Sequence, residues 1–231
     1  MNDKDFGFVE LVDRMLIDPA VKVVNTARIS FGKGHKEIIT EKDRKLIKYL
    51  WKKKHSSPFR HTYYSFKIKA PVFVLRQWMK HQVGCAWNEQ SFRYVEAEDS
   101  FHCPSRFRGP PSVNIKQGSG ADIDSVAQEK AHKAYQFSVN MSFEIYKELL
   151  EYGVCKEQAR AVLPLCIFTQ ATWTASLQAI IHFLNLRLAK DSQAEMRYYA
   201  EAIRETLEED PNLKFILEVC LESCKNETND Y

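Results

Sequence analysis

Polar and apolar positions change period several times along the chain, and each change marks an element. From Phe6 to Val12 the alternation is loose and predicts a short strand. Pro19 to Ile29 takes helical spacing, with Val21, Val24 and Arg28 on one side. Glu41 to Trp51 predicts a clearer helix, whose Leu46, Ile47, Leu50 and Trp51 form an apolar stripe between basic residues. At Thr62 to Lys69 the period becomes two: Tyr64, Phe66 and Ile68 alternate with Ser65, Lys67 and Lys69, which predicts a half-exposed strand. Pro71 opens a helix that runs to about His81, and Gly84 to Asn88 breaks it. Gly109 to Ala121 is rich in Gly, Pro and Ser and predicts a mobile surface loop. Ser125 with Gln128 makes a capping-box pattern. Behind it a long helix runs to about Tyr152, with Val126, Ala134, Phe137, Met141, Ile145 and Leu149 on one side, and Gly153 ends it. Lys156 to Val162 predicts a short helix stopped before Pro164. Ala171 to Leu186 and Gln193 to Leu207 predict further helices, and Pro211 opens a last one. Strands and helices mix first, then helices stand alone, which implies an α+β fold. No repeat or shift in composition demands a boundary, so residues 1–231 are expected to form one domain.

Composition narrows the classes. A chain of 231 residues buries a substantial core without disulfides, and 45% hydrophobic with 27% charged residues is an ordinary soluble mixture. A net charge of +3 is too balanced to mark a general nucleic-acid binder. The run Lys52-Lys53-Lys54 is most simply a solvated helix end. No apolar run is long enough to span a membrane, and Met1 to Phe6 lacks the apolar stretch of a secretion signal, so a cytoplasmic location is expected. The cysteines Cys85, Cys103, Cys155, Cys166, Cys220 and Cys224 are scattered and are expected to be reduced. Cys220 and Cys224 share a helical face, but two thiols do not make a zinc site, and no metal is expected.

The densest chemistry lies in Arg76-Gln77-Trp78-Met79-Lys80-His81-Gln82 and Asn88-Glu89-Gln90-Ser91-Phe92-Arg93-Tyr94. Bases, amides, a carboxylate and a hydroxyl crowd together with few apolar residues between them. Taken alone, Lys80 and His81 are equally readable as cations drawn to a helix C-terminus by its dipole. Their order adds more. Lys80-His81-Gln82 followed by Asn88-Glu89-Gln90-Ser91-Phe92-Arg93-Tyr94 resembles the signature of the flavin-dependent thymidylate synthases: Arg-His-Arg, a spacer, Asn-Glu, any residue, Ser, any residue, Arg-Tyr. His55-Ser56-Ser57-Pro58-Phe59-Arg60-His61 resembles the family's His-x-Ser/Thr-Pro-Phe-Glu-His. Ala70 to Gln77, Ala159-Arg160-Ala161-Val162-Leu163-Pro164 and His182-Phe183-Leu184-Asn185-Leu186-Arg187 resemble further family segments. The likeness runs in order from about Phe6 to Leu207.

The resemblance implies a small mixed or antiparallel sheet packed by helices, with a helical C-terminal half. It implies methylation of dUMP to dTMP, with FAD as cofactor and 5,10-methylenetetrahydrofolate and NADPH as co-substrates, in a homotetramer whose subunits share active sites. Residue by residue, Arg93 and Lys80 are then expected on the dUMP phosphate, with the backbone near Gln90 and Ser91. Gln77 and Arg160 are expected on the nucleotide. Arg187 is expected against the pyrimidine, where it favours ionisation at N3 and so pushes electron density toward C5. Ser91 is expected to bind and position substrate. Ser57, Lys80, His81, Gln82, Glu89, Ser176, Gln178 and His182 fall where the family grips FAD. His55 falls near flavin and folate, while His61 is expected to be structural. No Gly-x-Gly-x-x-Gly follows a strand, so a Rossmann crevice is not expected.

Departures stand beside the matches. Lys80 and Gln82 replace signature arginines, the spacer Val83 to Trp87 is one residue longer, Arg60 stands where glutamate is common, and Asp191 where histidine is common. They leave open a related enzyme making another 5-substituted pyrimidine nucleotide, such as a hydroxymethyl one. A cysteine-dependent thymidylate synthase needs a thiolate nucleophile, and Cys103 is the nearest candidate, though its surroundings do not resemble that enzyme. Trp78, Trp87 and Tyr94 interleaved with Lys80 and Arg93 resemble a nucleic-acid stacking platform, against which the low net charge and Glu89 speak.

Overall fold

The computed structural model describes residues 2–3, 6–111 and 118–227, with side chains for 6–111 and 118–221. Five strands, β1 (Asn2–Asp3), β2 (Gly7–Arg14), β3 (Tyr63–Pro71), β4 (Cys85–Glu89) and β5 (Phe168–Ser176), form an antiparallel sheet in the order β1-β2-β3-β5-β4. Its register aligns Leu11, Phe66, Trp173 and Trp87 in one row across four strands. These residues look into the core, with Phe66 and Trp173 wholly buried. The adjacent row, Glu10, Lys67, Thr172 and Asn88, lies on the opposite face.

Helices cover the apolar face. α1 (Pro19–Ile29) starts where the Asp18 carboxylate accepts from the Val21 N–H at 2.9 Å, with Pro19 in the first turn. α2 (Glu41–Lys52) starts at Thr40, whose N–H donates to Asp43. α3 (Val72–Trp78) follows β3 directly and drives Trp78 into the core. α6 (Leu177–Arg187), α7 (Ala194–Glu208) and α8 (Pro211–Glu227) complete the layer, burying Ile180, Phe183, Tyr199, Ile203 and Ile216. Between the two halves run α4 (Ser125–Glu151) and the one-turn α5 (Lys156–Ala159), which continues as a 3-10 turn over Arg160–Val162. The α+β class, the antiparallel sheet and the helical C-terminal region agree with expectation.

Four local expectations need correction. Ala171 to Ser176 is not helical: it belongs to β5, paired along its length with β3, and α6 starts only at Leu177. Thr169, Thr172 and Thr174 favour strand, and Ser176 caps the helix, its Oγ accepting from the Ala179 N–H at 3.3 Å. The break at Gly84 to Asn88 contains a strand that the sequence pattern did not predict, β4. Asp124, not Ser125, caps α4 by accepting from the N–H groups of Val126 and Ala127, while Gln128 bonds both the N–H and the carbonyl of Phe107. Finally, Val126, Phe137, Met141 and Ile145 are exposed. The helix is seated instead by Val139, Phe143 and Tyr146, against Cys166, Ile167 and the Ala97–Phe101 stretch. Gly153, at φ 83°, ends it as expected. The tip of the Gly109–Ala121 loop, residues 112–117, and the Cys224 side chain lie outside the described residues. The loop's stems are joined by the Gly109 N–H donating to the Ala121 carbonyl at 2.8 Å.

The α2 start carries a pH signature. Burial pushes the Asp43 carboxyl up, but hydrogen bonds from Lys36 and from the Thr40 hydroxyl and N–H outweigh it and hold the group at about 2. A folded value below the ordinary 3.8 means stability that is complete above that value and lost as pH falls toward 2. Asp43→Ala is expected to lower the denaturant midpoint at neutral pH and to cost progressively less as pH falls through this window. A deficit independent of pH would refute the assignment.

Candidate active site

The residues expected to act lie at three places. The first is the junction of α3, β4 and α6. Gly84, at φ 74°, accepts from the Ser176 N–H at 2.9 Å, and a Cβ there would meet Ser176 Oγ at 2.8 Å. This close approach brings the end of α3 onto α6. There the Arg187 Nε–H donates to His81 Nε2 at 3.0 Å. Arginine only donates, so Nε2 must carry a lone pair and His81 is neutral with its proton on Nδ1. Burial, then the charges of Arg187 and His182, depress His81 to about 4. The ring is held edge-on to Phe183, and Trp87 Nε1 donates to the His81 carbonyl at 3.4 Å. One helical turn back on α6, Gln178 and His182 share a face. Arg60 Nε donates to Gln178 Oε1 at 2.5 Å, and Gln178 Nε2 lies 3.3 Å from His182 Nε2. Ser176 is buried, its hydroxyl committed to the helix cap. Gln77 Oε1 is buried with no hydrogen-bond partner among the described residues. Lys80 and Gln82 are exposed at the same corner.

The second place is a cavity of about 660 Å³ beside the turn that follows β4. Glu89, Gln90, Ser91 and Arg160 line it, as does Arg76, which stood in the densest segment of the sequence without an expected role. The turn is fixed by the Ser91 carbonyl, which accepts from the N–H groups of Tyr94 and Val95, and by Gln90 N–H donating to the Gln170 carbonyl at 2.8 Å. Burial raises the Glu89 carboxyl, against the pull of Thr169 and Arg160. Arg93 is exposed and lies 4.0 Å from Glu157, with its guanidinium on the Tyr94 ring and hydroxyl.

The third is a cavity of about 530 Å³ between α1 and α2, lined by His55 and Ser57 together with Arg28, Ser30, Lys33 and Tyr49. Lys54, at φ 60°, turns the chain so that the His55 N–H caps α2 on the Leu50 carbonyl. The linings of this cavity and of the second share no residue. No group of three or more metal-ligating side chains occurs among the described residues. None of their helices is long and apolar enough to cross a membrane.

Fold and site together define an antiparallel-sheet enzyme with arginine-lined cavities and a neutral histidine bonded to a cationic arginine. The chain belongs to the family described as thymidylate synthase complementing protein, whose model matches residues 10–211. A flavin-dependent thymidylate synthase of Thermosipho africanus is 43% identical over 196 residues, 85% of this chain and 83% of that protein. One from Thermus thermophilus is 41% identical over 205 residues, covering 89% of this chain and 73% of that protein. The structure is also similar to a UMP/dUMP methylase, PolB from Streptomyces cacaoi, bound with 5-Br dUMP. That likeness has a TM-score of 0.79 and 29% identity, and covers 95% of this chain and 94% of the other.

Proposed function

We propose that the protein methylates dUMP at C5 to give dTMP, with FAD as its flavin, 5,10-methylenetetrahydrofolate as carbon donor and NADPH as reductant. The observation that carries the reading is the Arg187–His81 pair. It sets an arginine at the C-terminal end of α6 and keeps the neighbouring imidazole uncharged. A fixed cation beside a neutral donor–acceptor ring suits a substrate whose ring gains negative charge during reaction. Bound FAD supplies the redox chemistry, and the protein positions and polarises. The buried, unpartnered Gln77 Oε1 fits a ligand that donates an N–H, as the uracil imide does. Arg93, Arg160 and Lys80 hold the phosphate, with the N–H groups around Gln90 and Ser91. Arg187 stabilises charge developing toward N3 of the pyrimidine. Ser57, His81, Gln82, Glu89, Gln178 and His182 face the flavin, and His55 faces flavin and folate.

The cavity at His55 and Ser57 and the cavity at Gln90 and Ser91 share no lining residue, which suits a site completed by different subunits. The exposed apolar stripe Phe137, Met141 and Ile145 of α4 supports such an assembly, which we take to be a homotetramer.

The test is product analysis by mass spectrometry after incubation with dUMP, methylenetetrahydrofolate and NADPH. UMP runs in parallel, because the similar methylase acts on both nucleotides. The expected result is dTMP and tetrahydrofolate, only with all three substrates present. Dihydrofolate as by-product marks the cysteine-dependent route and overturns the reading. A companion expectation concerns the thiols. Burial pushes Cys85 and Cys166 above the ordinary thiol value, the wrong direction for a nucleophile. Replacing Cys85 and Cys103 together by alanine should leave most turnover. Complete loss in a folded, flavin-loaded variant contradicts a cysteine-free reaction.

A further inference from the structure

Arg60 has a place in the site that its exposure conceals. It sits in the short 3-10 turn Ser57–His61 between α2 and β3 and reaches across to α6. Gln178 and His182, one turn apart on that helix, stand in line behind it. Each link in this line has a fixed polarity. A guanidinium can only donate, so Gln178 must turn its carbonyl oxygen to Arg60. The amide NH2 then faces His182, whose Nε2 must accept. The proton of a neutral His182 is therefore on Nδ1, and an imidazolium would set donor against donor.

We propose that Arg60 is a positioning residue of this site: it sets which way the Gln178 amide faces and, through the amide, places the ring proton of His182 on Nδ1. The relay sets side by side a cation, an oriented amide and a ring that carries an Nδ1–H donor. This is a surface suited to the acceptor-rich, anion-tolerant edge of an isoalloxazine ring. That use rests on the flavin reading above; the relay itself does not. Because Arg60 is exposed, its charge is partly screened; the hydrogen bond to Gln178 sets the tautomer, while the remaining field adds to the depression of the ring's titration. Among the described residues, the Trp51 ring of α2, 6.1 Å away, and His81 at the end of α3 also face His182. Burial and Arg60 both depress the His182 titration.

The decisive substitution is Arg60→Glu, which replaces a donor by an acceptor at the head of the relay. The amide must then turn over, its oxygen facing His182, and the ring proton must move to Nε2. The measurement is long-range proton–nitrogen correlation NMR on the full chain without FAD, with His182 assigned by the loss of its signals in His182→Gln. Wild type and Arg60→Lys are expected in the Nδ1–H form, titrating below 6.5. Arg60→Glu is expected in the Nε2–H form with its titration moved up. The same tautomer and midpoint in Arg60→Glu as in wild type overturn the proposal. Such a result would leave Arg60 a surface residue that merely touches Gln178. A parallel FAD titration is expected to show roughly tenfold weaker binding in Arg60→Glu and near-normal binding in Arg60→Lys, the scale of one charge-assisted hydrogen bond. If wild type binds no FAD, the flavin reading fails, and the relay is still decided by the tautomer.

Discussion

Arg187→Ala is expected to lower kcat by about a hundred- to a thousandfold, the cost of removing one preorganised donor from developing charge. Arg93→Ala is expected chiefly to raise KM. The difference follows from what each guanidinium does in the folded chain. Arg187 is half-buried and held by its bond to His81 Nε2, so it is aimed before any ligand arrives. Arg93 is exposed and rests loosely against Glu157 and Tyr94. A phosphate contact made equally in ground and transition states changes binding, not turnover. Steady-state kinetics at saturating dUMP decide the matter, and equal kcat values for the two variants refute the division. Arg187→Ala should also let His81 titrate above its present value of about 4, because one of the two charges that depress it is gone. Burial, the largest cause, remains, so the rise is partial.

The largest stability effect is expected at Trp173. Its side chain is wholly buried where the sheet meets α3 and α6. Ring centroids of Trp78, Phe183, Trp87 and Phe66 lie at 5.3, 5.3, 5.6 and 5.7 Å from its own. Trp173→Ala leaves a cavity at this hub and should cost about 3–5 kcal/mol of unfolding free energy. Trp173→Phe, which keeps an aromatic ring, should cost distinctly less. The damage should reach the site, because His81 leans on Phe183 and Trp87 holds the His81 carbonyl. Denaturant unfolding gives the answer. A change below about 1 kcal/mol in the alanine variant, with an unaltered denaturant slope, would mean that the hub collapses around the gap.

What the sequence made legible, and what it hid, follows from how far each signal reaches. α1, α2 and β3 stood out because caps, prolines and strict periodicity act within a few residues. β5 was hidden because it passes directly into α6 with no glycine or proline between them. Only Ser176 and the alternating threonines mark the change of period. In α4 two apolar stripes share one helix, and periodicity does not say which one the fold buries. That choice belongs to Cys166 and Ile167, arriving from another segment. The site was legible as an ordered list of residues but not as a geometry. His81 and Arg187, 106 residues apart, meet only because Gly84 lets β4 close on the start of α6. Arg76 and Arg60 lay inside the segments that carried the resemblance, but no role was legible for either, because the cavity that one lines and the partner that the other bonds come from distant parts of the chain.

The aromatic hub also has an optical consequence. The rings of Trp78 and Trp173 lie 5.3 Å apart at 68°, and those of Trp78 and Trp87 lie 5.9 Å apart at 80°. Indoles so close and so steeply inclined share their excited states. Their coupled transitions add a signed pair of bands to the far-ultraviolet circular dichroism, on top of the signal from the helices. Helix content taken from that spectrum without allowance for the pair will be in error. The pair itself registers whether β5 has closed on the α3–β4 segment, with no ligand or label required.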